Sequence, residues 1–479
     1  MLVLLVNSPA LSAHPTSCGW ESFIAGQKRR LRSDQYYSLP LEHLGMMSIV
    51  AYARSKGIDV QTVDGMVEGH CSLAQTFARI YDLVHRFGEP YLIGFSNINT
   101  FEEVRWLAQQ CRAQWAGTSI VLGNTFATLN AERVLQDETF DFVIRGDGEV
   151  SFTLLAEAIL NDREVHEIPG LAWRLPNGDV ESSRPASVCL DELPWPARIE
   201  LPTVLRHGFS GAVYTSRGCY YRCTFCGTGA TSDLLGKGGF RFRSIDNVVD
   251  EIEYLIKDYN LKFISISDDL FLAKQRQTHE RAHHLADEII RRKLRLGFMF
   301  DARMDALNDL ELLRHLKHAG LERIFVGLET GSEQQLSNYQ KHYPMPTEDV
   351  VSQIREIGKL GIQIVPGTIM FHPEVTPSEL RNTLTLLKAT GYEAPRKLCD
   401  RITAYAGTPL HREYASKGYL VTDWPIGEWD FRDAGARRVY NQVSGHINQT
   451  ESISFDQAAR FFLSAVSDWE IATERSICD

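Results

Sequence analysis

Twice along this chain, short apolar runs alternate with longer stretches of helical period, and that alternation restricts the fold to parallel sheets with helices packed on their faces. In the first round, strands are expected at Leu2 to Val6, Asp59 to Val63, Tyr91 to Phe95, Ser119 to Leu122 and Asp141 to Ile144. Helices are expected near 41–56, 72–87, 101–115 and 149–160, giving a doubly wound sheet over residues 1–165. A sheet of this kind binds ligands at the carboxyl ends of its strands. Those ends carry Asn7-Ser8-Pro9, Ser96-Asn97-Ile98-Asn99-Thr100, Gly123-Asn124-Thr125 and Arg145-Gly146-Asp147-Gly148-Glu149, polar loops suited to a flat or phosphate-bearing ligand. Each glycine taken alone needs no more than a turn to explain it.

Residues 166–205 hold a hairpin signal at Pro176-Asn177-Gly178-Asp179 and then Leu193-Pro194-Trp195-Pro196, which reads as an interdomain linker. The second round, over 206–415, places strands at Ala212 to Thr215, Lys262 to Ser267, Gly297 to Phe300, Arg323 to Leu328, Gly361 to Val365 and Arg401 to Tyr405. Six such units predict a partial (βα)6 barrel of the TIM type, with its active site where strands end and loops begin. Residues 416–479 read as a small helical cap, carried by the amphipathic run Ser454 to Thr473. The fold class is α/β throughout, with a doubly wound parallel sheet followed by the partial barrel.

Cys219, Cys223 and Cys226 follow the first strand of the second round directly, with no fourth thiol near them. Four ligands would close a structural zinc or electron-transfer site, whereas three leave one coordination position for chemistry. Cys18, Cys71, Cys111, Cys189, Cys399 and Cys478 are scattered singly, which argues against a disulfide framework and for a reducing, cytoplasmic location. The net charge of -11 disfavours a nucleic-acid footprint, and a small molecule or peptide is the expected substrate. No stretch is long and apolar enough to span a bilayer. Met1-Leu-Val-Leu-Leu-Val lacks the basic flank of a signal peptide and reads as a buried strand.

The pattern CxxxCxxC at the mouth of a six-unit barrel resembles the radical S-adenosylmethionine family, over about 200 residues. The resemblance implies that Cys219, Cys223 and Cys226 hold a four-iron, four-sulfur cluster whose open iron chelates S-adenosylmethionine. Phe225, before the last cysteine, matches the aromatic residue that lies by the adenine. Glu329 in Gly327-Leu328-Glu329-Thr330-Gly331 matches the carboxylate that binds the ribose hydroxyls, although Ser332 and Gln335 also make a capping box beside it. Asp268 and Asp269 end the second strand, and only one of the two can face the pocket. Asp268 is carried as the S-adenosylmethionine-side candidate together with Arg303, which can fork onto a carboxylate or pair with Asp301 or Asp305. The turn Tyr405-Ala406-Gly407-Thr408-Pro409 resembles the family's Pro-Gly-Thr turn with Ala406 in place of proline.

The first 165 residues resemble the cobalamin-binding domain that precedes many members of this family. Leu122-Gly123-Asn124-Thr125-Phe126-Ala127-Thr128 and Arg145-Gly146-Asp147-Gly148-Glu149 carry that resemblance, with Asn124 and Phe126 where a glycine and a histidine are usual. It implies that Asn7, Ser96, Asn97, Gly123, Asn124, Thr125, Gly146, Gly148 and Glu149 face a corrinoid. The Asp-x-His-x-x-Gly motif is absent, so the cobalt is expected to lack a histidine ligand from the protein. His43, His70, His342 and His372 fall in no metal-binding spacing and are read as packing or surface residues.

The expected cofactors are therefore a 4Fe-4S cluster, S-adenosylmethionine and cobalamin, fed by an external one-electron reductant of the flavodoxin or ferredoxin type. The resemblance implies a C-methyltransferase acting on an unactivated carbon through a 5′-deoxyadenosyl radical and methylcobalamin. Ring formation, oxidation or rearrangement with the same cofactors is the alternative, and a non-catalytic corrinoid or iron-sulfur sensor is the alternative of another class. A methylthiotransferase is disfavoured, because Cys18, Cys71 and Cys111 do not reproduce the spacing of that branch's additional cluster.

Overall fold

The computed structural model describes residues 2–8, 42–65, 72–96, 101–236, 239–341, 343, 345–450 and 453–478. Asn97, His70 and His342 lie outside the described residues. The chain divides into two compact units, Met1–Tyr220 with Gly227–Ser267, and Tyr221–Cys226 with Asp268–Asp479.

The first unit opens with β1 (Leu2–Asn7), α1 (Leu44–Ser55), β2 (Val60–Asp64), α2 (Leu73–Phe87), β3 (Pro90–Ser96), α3 (Phe101–Gln114), β4 (Ser119–Gly123), α4 (Asn124–Leu129), α5 (Ala131–Leu135), β5 (Phe142–Ile144) and α6 (Glu149–Leu160). The strands associate in the order β2-β1-β3-β4-β5, all parallel. β1 is buried along its whole length, as a central strand covered on both faces requires. Val3, Leu5, Met46, Met47, Val50, Leu92, Phe152 and Leu155 form one core beneath it. Gly94 lies in β3 where a Cβ would run into Leu5 and Phe152, so the close seating of α6 on the sheet depends on a bare position. Two of the helix starts carry side-chain caps: His43 Nδ1 accepts from Met46 N at 3.1 Å and Ser72 Oγ accepts from Gln75 N at 3.2 Å.

The expected hairpin forms from β6 (Leu171–Arg174) and β7 (Val180–Ser182), and it joins the same sheet antiparallel to β5 instead of standing apart from it. The proline-rich stretch after it, expected to be an interdomain linker, is packed within the first unit. Leu193 is buried, and Trp195 stacks on Tyr254 at 5.6 Å and donates to Asn247 Oδ1 at 3.3 Å. Beyond it come α7 (Leu201–Arg206), β8 (Gly211–Val213), β9 (Ser216–Arg217), α8 (Gly227–Leu235), β10 (Arg241–Phe242), α9 (Ile245–Tyr259) and β11 (Phe263–Ile266), with β8 and β11 parallel. A buried ionic network crosses this unit. Arg198 donates to Glu42 at 2.5 Å and to Glu251 at 2.6 Å, while Arg243 donates to the other oxygen of Glu251 at 2.6 Å.

The second unit continues through α10 (Arg276–Arg291), β12 (Gly297–Ala302), α11 (Leu310–Ala319), β13 (Leu321–Glu329), α12 (Glu333–Asn338), α13 (Thr347–Lys359), β14 (Gln363–Thr368) and α14 (Pro377–Ala389). β12, β13 and β14 are parallel neighbours, with β13 between the other two. The sixth strand, expected over Arg401 to Tyr405, is reduced to one parallel bridge between Phe371 and Arg401. From there the chain turns into β15 (Ala404–Tyr405), α15 (Pro409–Ser416), β16 (Leu420–Thr422) and β17 (Ile426–Trp429), and the three strands form a small antiparallel sheet that short, irregular runs did not announce. The C-terminal cap follows as α16 (Ala434–Gln449) and α17 (Phe455–Cys478). Among the described residues no helix is long and apolar enough to cross a membrane.

Candidate active site

The cysteine loop is fixed by backbone bonds. Cys226 N donates to Cys223 O at 3.0 Å, closing a tight turn, while Thr224 donates to Tyr339 O at 3.0 Å and accepts from Leu410 N at 2.9 Å. Cys219, Cys223 and Cys226 are half-buried thiols outside any disulfide. Phe225 and Tyr339 form a T-shaped pair with ring centroids 5.3 Å apart.

Burial pushes the Cys223 thiol up, and the nearby Lys341 and Arg303 cations work against it. Cationic surroundings of this kind are what a thiolate ligand needs. Lys341 is a site residue that the sequence did not reveal, because a single lysine in a polar loop carries no pattern. It is buried and donates to Glu329, which ends β13 with a left-handed backbone at φ +58. Tyr343 Oη holds that strand end by donating to Leu328 O at 2.6 Å. Thr368 stands opposite Glu329 in β14, and its buried Oγ1 has no protein partner among the described residues; nor has the buried Oγ1 of Thr224 in the cysteine loop. Buried hydroxyls are normally satisfied, so both atoms mark where a polar ligand fits.

Arg303 follows β12 and is buried; it forks onto Asp305 at 3.0 and 3.3 Å and lies 3.8 Å from the centre of the Tyr221 ring. Of the two Asp side chains after β11, Asp268 is buried and Asp269 exposed. The Asp301 carboxyl is pushed up to about 7, first by loss of water and then by repulsion from Asp268 and Asp269. His372 Nε2 lies 3.3 Å from a carboxylate oxygen of Glu379.

In the first unit, the strand ends of the parallel sheet bring Ser96 and Asn124 together. Asn124 Nδ2 donates to Ser96 Oγ at 3.3 Å, and the same hydroxyl lies 2.8 Å from His43 Nε2. Because His43 Nδ1 already accepts from Met46 N, the proton sits on Nε2, and burial lowers this imidazole to about 4, so it is neutral. Asn124 has a left-handed φ of +88, and beside it Gly123 leaves space: a Cβ there would meet nothing nearer than Phe95 O at 3.9 Å. An open strand end with a bare backbone fits a flat macrocycle. Asn7 is engaged within the sheet, donating to Asp64 Oδ1 at 2.9 Å, and Thr125 is exposed. Gly146 has φ +86 and donates to Thr128 Oγ1 at 3.0 Å, whereas Gly148 packs closely on Ile49.

Glu149 is the first residue of α6 and is engaged by Arg217. It is buried, and its two oxygens accept from Arg217 at 2.6 and 3.2 Å. Burial alone would raise its carboxyl, but the Arg217 guanidinium overrides that and holds it below the usual carboxylate range. Asp147 pairs with Arg217 and Arg241.

Two family models match the chain: the Radical SAM superfamily over residues 213–387 and the B12 binding domain over residues 37–156. The chain belongs to the radical S-adenosylmethionine enzymes that carry a B12-binding domain. It is 25% identical over 386 residues to an uncharacterized methyltransferase of Pyrococcus horikoshii, covering 79% of this chain and 80% of that one. Its fold is similar to the cobalamin-dependent S-adenosylmethionine radical enzyme OxsB with aqua-cobalamin and S-adenosylmethionine bound, at a TM-score of 0.72 and 19% identity, covering 93% of this chain and 66% of that chain. It is also similar in fold to the radical S-adenosylmethionine methyltransferase TsrM of Kitasatospora setae with cobalamin and its 4Fe-4S cluster, at a TM-score of 0.63 and 20% identity, covering 88% and 78%.

Proposed function

We propose that this radical S-adenosylmethionine enzyme is a cobalamin-dependent C-methyltransferase acting on an unactivated carbon of a small molecule or peptide. The observation that carries the reading is the likeness to an uncharacterized methyltransferase over 79% of this chain and 80% of that one. When bound, the cluster and S-adenosylmethionine supply a 5′-deoxyadenosyl radical and the corrinoid supplies a transferable methyl group.

The protein's part is to bind, orient and exclude water. Cys219, Cys223 and Cys226 hold the cluster, with Lys341 and Arg303 offsetting the charge around Cys223. Phe225, packed against Tyr339, would lie by the adenine, and Glu329, pinned by Lys341, would accept from the ribose hydroxyls. Asp268 and Arg303, both buried, would bind S-adenosylmethionine. Ser96, Gly123, Asn124 and Thr125 would meet the corrinoid at the strand ends, with Asn7 held within the sheet by Asp64 and with Gly146 and Gly148 shaping the turn before α6. The electron comes from a flavodoxin or ferredoxin type donor, and the setting is cytoplasmic.

Anaerobic reconstitution with iron, sulfide and hydroxocobalamin, followed by incubation with S-adenosylmethionine, reductant and candidate substrates, tests the reading. Methylation gives 5′-deoxyadenosine, S-adenosylhomocysteine and a product one CH2 heavier. 5′-Deoxyadenosine without the other two overturns methylation and leaves ring formation, oxidation or rearrangement.

A further inference from the structure

The antiparallel strand pair that brackets the cysteine motif, one strand before it and one after, is too short to hold itself. β9 and β10 are two residues each, and Arg217 stands directly opposite Arg241 in their antiparallel register. Two like charges in that position repel, and a two-residue ladder offers little to resist them. Asp147 resolves the conflict. Its Oδ1 accepts from Arg217 at 3.2 Å and from Arg241 at 3.2 Å, and its Oδ2 accepts from Arg241 at 2.6 Å. Glu149 completes the set with its own fork onto Arg217, whose second nitrogen also reaches Ser48 Oγ at 3.3 Å. The guanidinium lies 4.7 Å from the centre of the Tyr214 ring. Two cations thus meet two anions through bidentate bonds, the geometry that makes guanidinium pairs directional.

Arg217 is separated from Cys219 by one residue with no freedom to spare. Gly218 has φ +85, and a Cβ on it would fall inside the contact radius of Gly239 O. Immediately after it, Cys219 N donates to Ser232 Oγ at 3.2 Å. The backbone that delivers Cys219 is therefore held by the arginine clasp on one side and by Ser232 on the other.

We infer that Asp147 and Glu149 of the Arg-Gly-Asp-Gly-Glu turn are positioning residues for Cys219, acting through Arg217 and Arg241, and are not ligands of the corrinoid. The assignment rests on the reading of Cys219 as a cluster ligand. It gives the B12-binding domain a second role, in which its last turn sets the placement of a thiol in the motif that follows.

The test uses the full chain with Asp147→Asn, Glu149→Gln and Arg217→Lys, the last keeping the charge but losing the fork. In the apoprotein, the alkylation rate of Cys219 is read by mass spectrometry against Cys223 and Cys226 as internal references. In the reconstituted protein, iron per chain, the electron paramagnetic resonance signal of the reduced cluster and bound hydroxocobalamin are measured. The expected result is Cys219 alkylation faster by about tenfold, the factor that corresponds to ~1.4 kcal/mol. Cys223 and Cys226 should change by less than about twofold, on the same scale. Iron content falls or the cluster signal shifts, and hydroxocobalamin stays bound. Loss of hydroxocobalamin, with or without a change at Cys219, overturns the assignment, as does an unchanged Cys219. Should Glu149→Gln fail to fold, Arg241→Lys reads the same clasp through Asp147. A wild-type chain that assembles no cluster overturns the cofactor reading, while the apoprotein alkylation still decides the clasp.

Discussion

Glu329 and Lys341, twelve residues apart in sequence, form a buried ion pair at the end of β13. The pair holds a carboxylate in a backbone conformation, φ +58, that only a well-determined surrounding maintains. Lys341→Met leaves that carboxylate buried and unpaired, and the expected loss is about 3–5 kcal/mol by urea unfolding. Adding Glu329→Gln should recover part of it, giving a coupling of more than about 0.5 kcal/mol in the double-mutant cycle. Additive losses would show that the pair is not coupled.

Asp301 makes stability depend on pH in a definite direction. Its carboxyl is raised from 3.8 to about 7 by burial and by Asp268 and Asp269, so the folded chain binds the proton more tightly than the unfolded one. The contribution is fully present below the unfolded value and is lost as pH rises towards 7. Asp301→Asn should leave Tm almost unchanged at about pH 4 and raise it by about 2–4 °C near pH 8 relative to wild type. A difference that shrinks with rising pH would contradict this.

Gly435, in the first turn of α16, sits where a Cβ would collide with the indole of Trp469 on α17. Gly435→Ala must push the two helices apart, at a cost of about 1–3 kcal/mol. Thermal unfolding checks it, and the double variant Gly435→Ala with Trp469→Leu should regain part of the loss.

Cys223→Ala should abolish the iron-sulfur absorbance after anaerobic reconstitution, because two thiolates do not hold a three-ligand cluster. Bound hydroxocobalamin should remain, read from its own absorption bands. Simultaneous loss of both would show that cluster and corrinoid binding are not separable.

Arg198→Met removes the guanidinium shared by Glu42 and Glu251. Two buried carboxylates then lack it, and the expected loss is about 3–5 kcal/mol at neutral pH. Burial already raises the Glu42 carboxyl to about 7 with Arg198 in place, so the loss should shrink as the medium is acidified and Glu42 protonates. A pH-independent loss would argue against the charge as its cause.

The regular elements were legible because buried parallel strands leave unbroken apolar runs. Leu2 to Val6 and 149–160 appear as β1 and α6 almost to the residue. Arg401 to Tyr405 failed for the same reason in reverse: it has strand-like residues, but only Arg401 finds a parallel neighbour. Cys219, Cys223 and Cys226 stood out through spacing alone. Lys341, Tyr221 and Arg217 did not, because each is defined by a partner distant in sequence, Glu329, Arg303 and Glu149. Motif reading gave Glu149 a ligand's place in a loop; only the fold brings Arg217 onto both its oxygens.

Arg198 lies between residues 37–156 and 213–387, in the stretch neither family model covers, yet it joins Glu42 from the first to Glu251 from the second. The compact unit is therefore larger than the stretch that the B12-binding family model matches. A truncation at residue 165 would keep every strand of the parallel sheet but leave Glu42 without its cation, and would remove the β6–β7 hairpin from the sheet edge. Excised at its family boundary, the B12-binding domain should be a poor soluble fragment, whereas one extended through α9 takes its counter-charges with it.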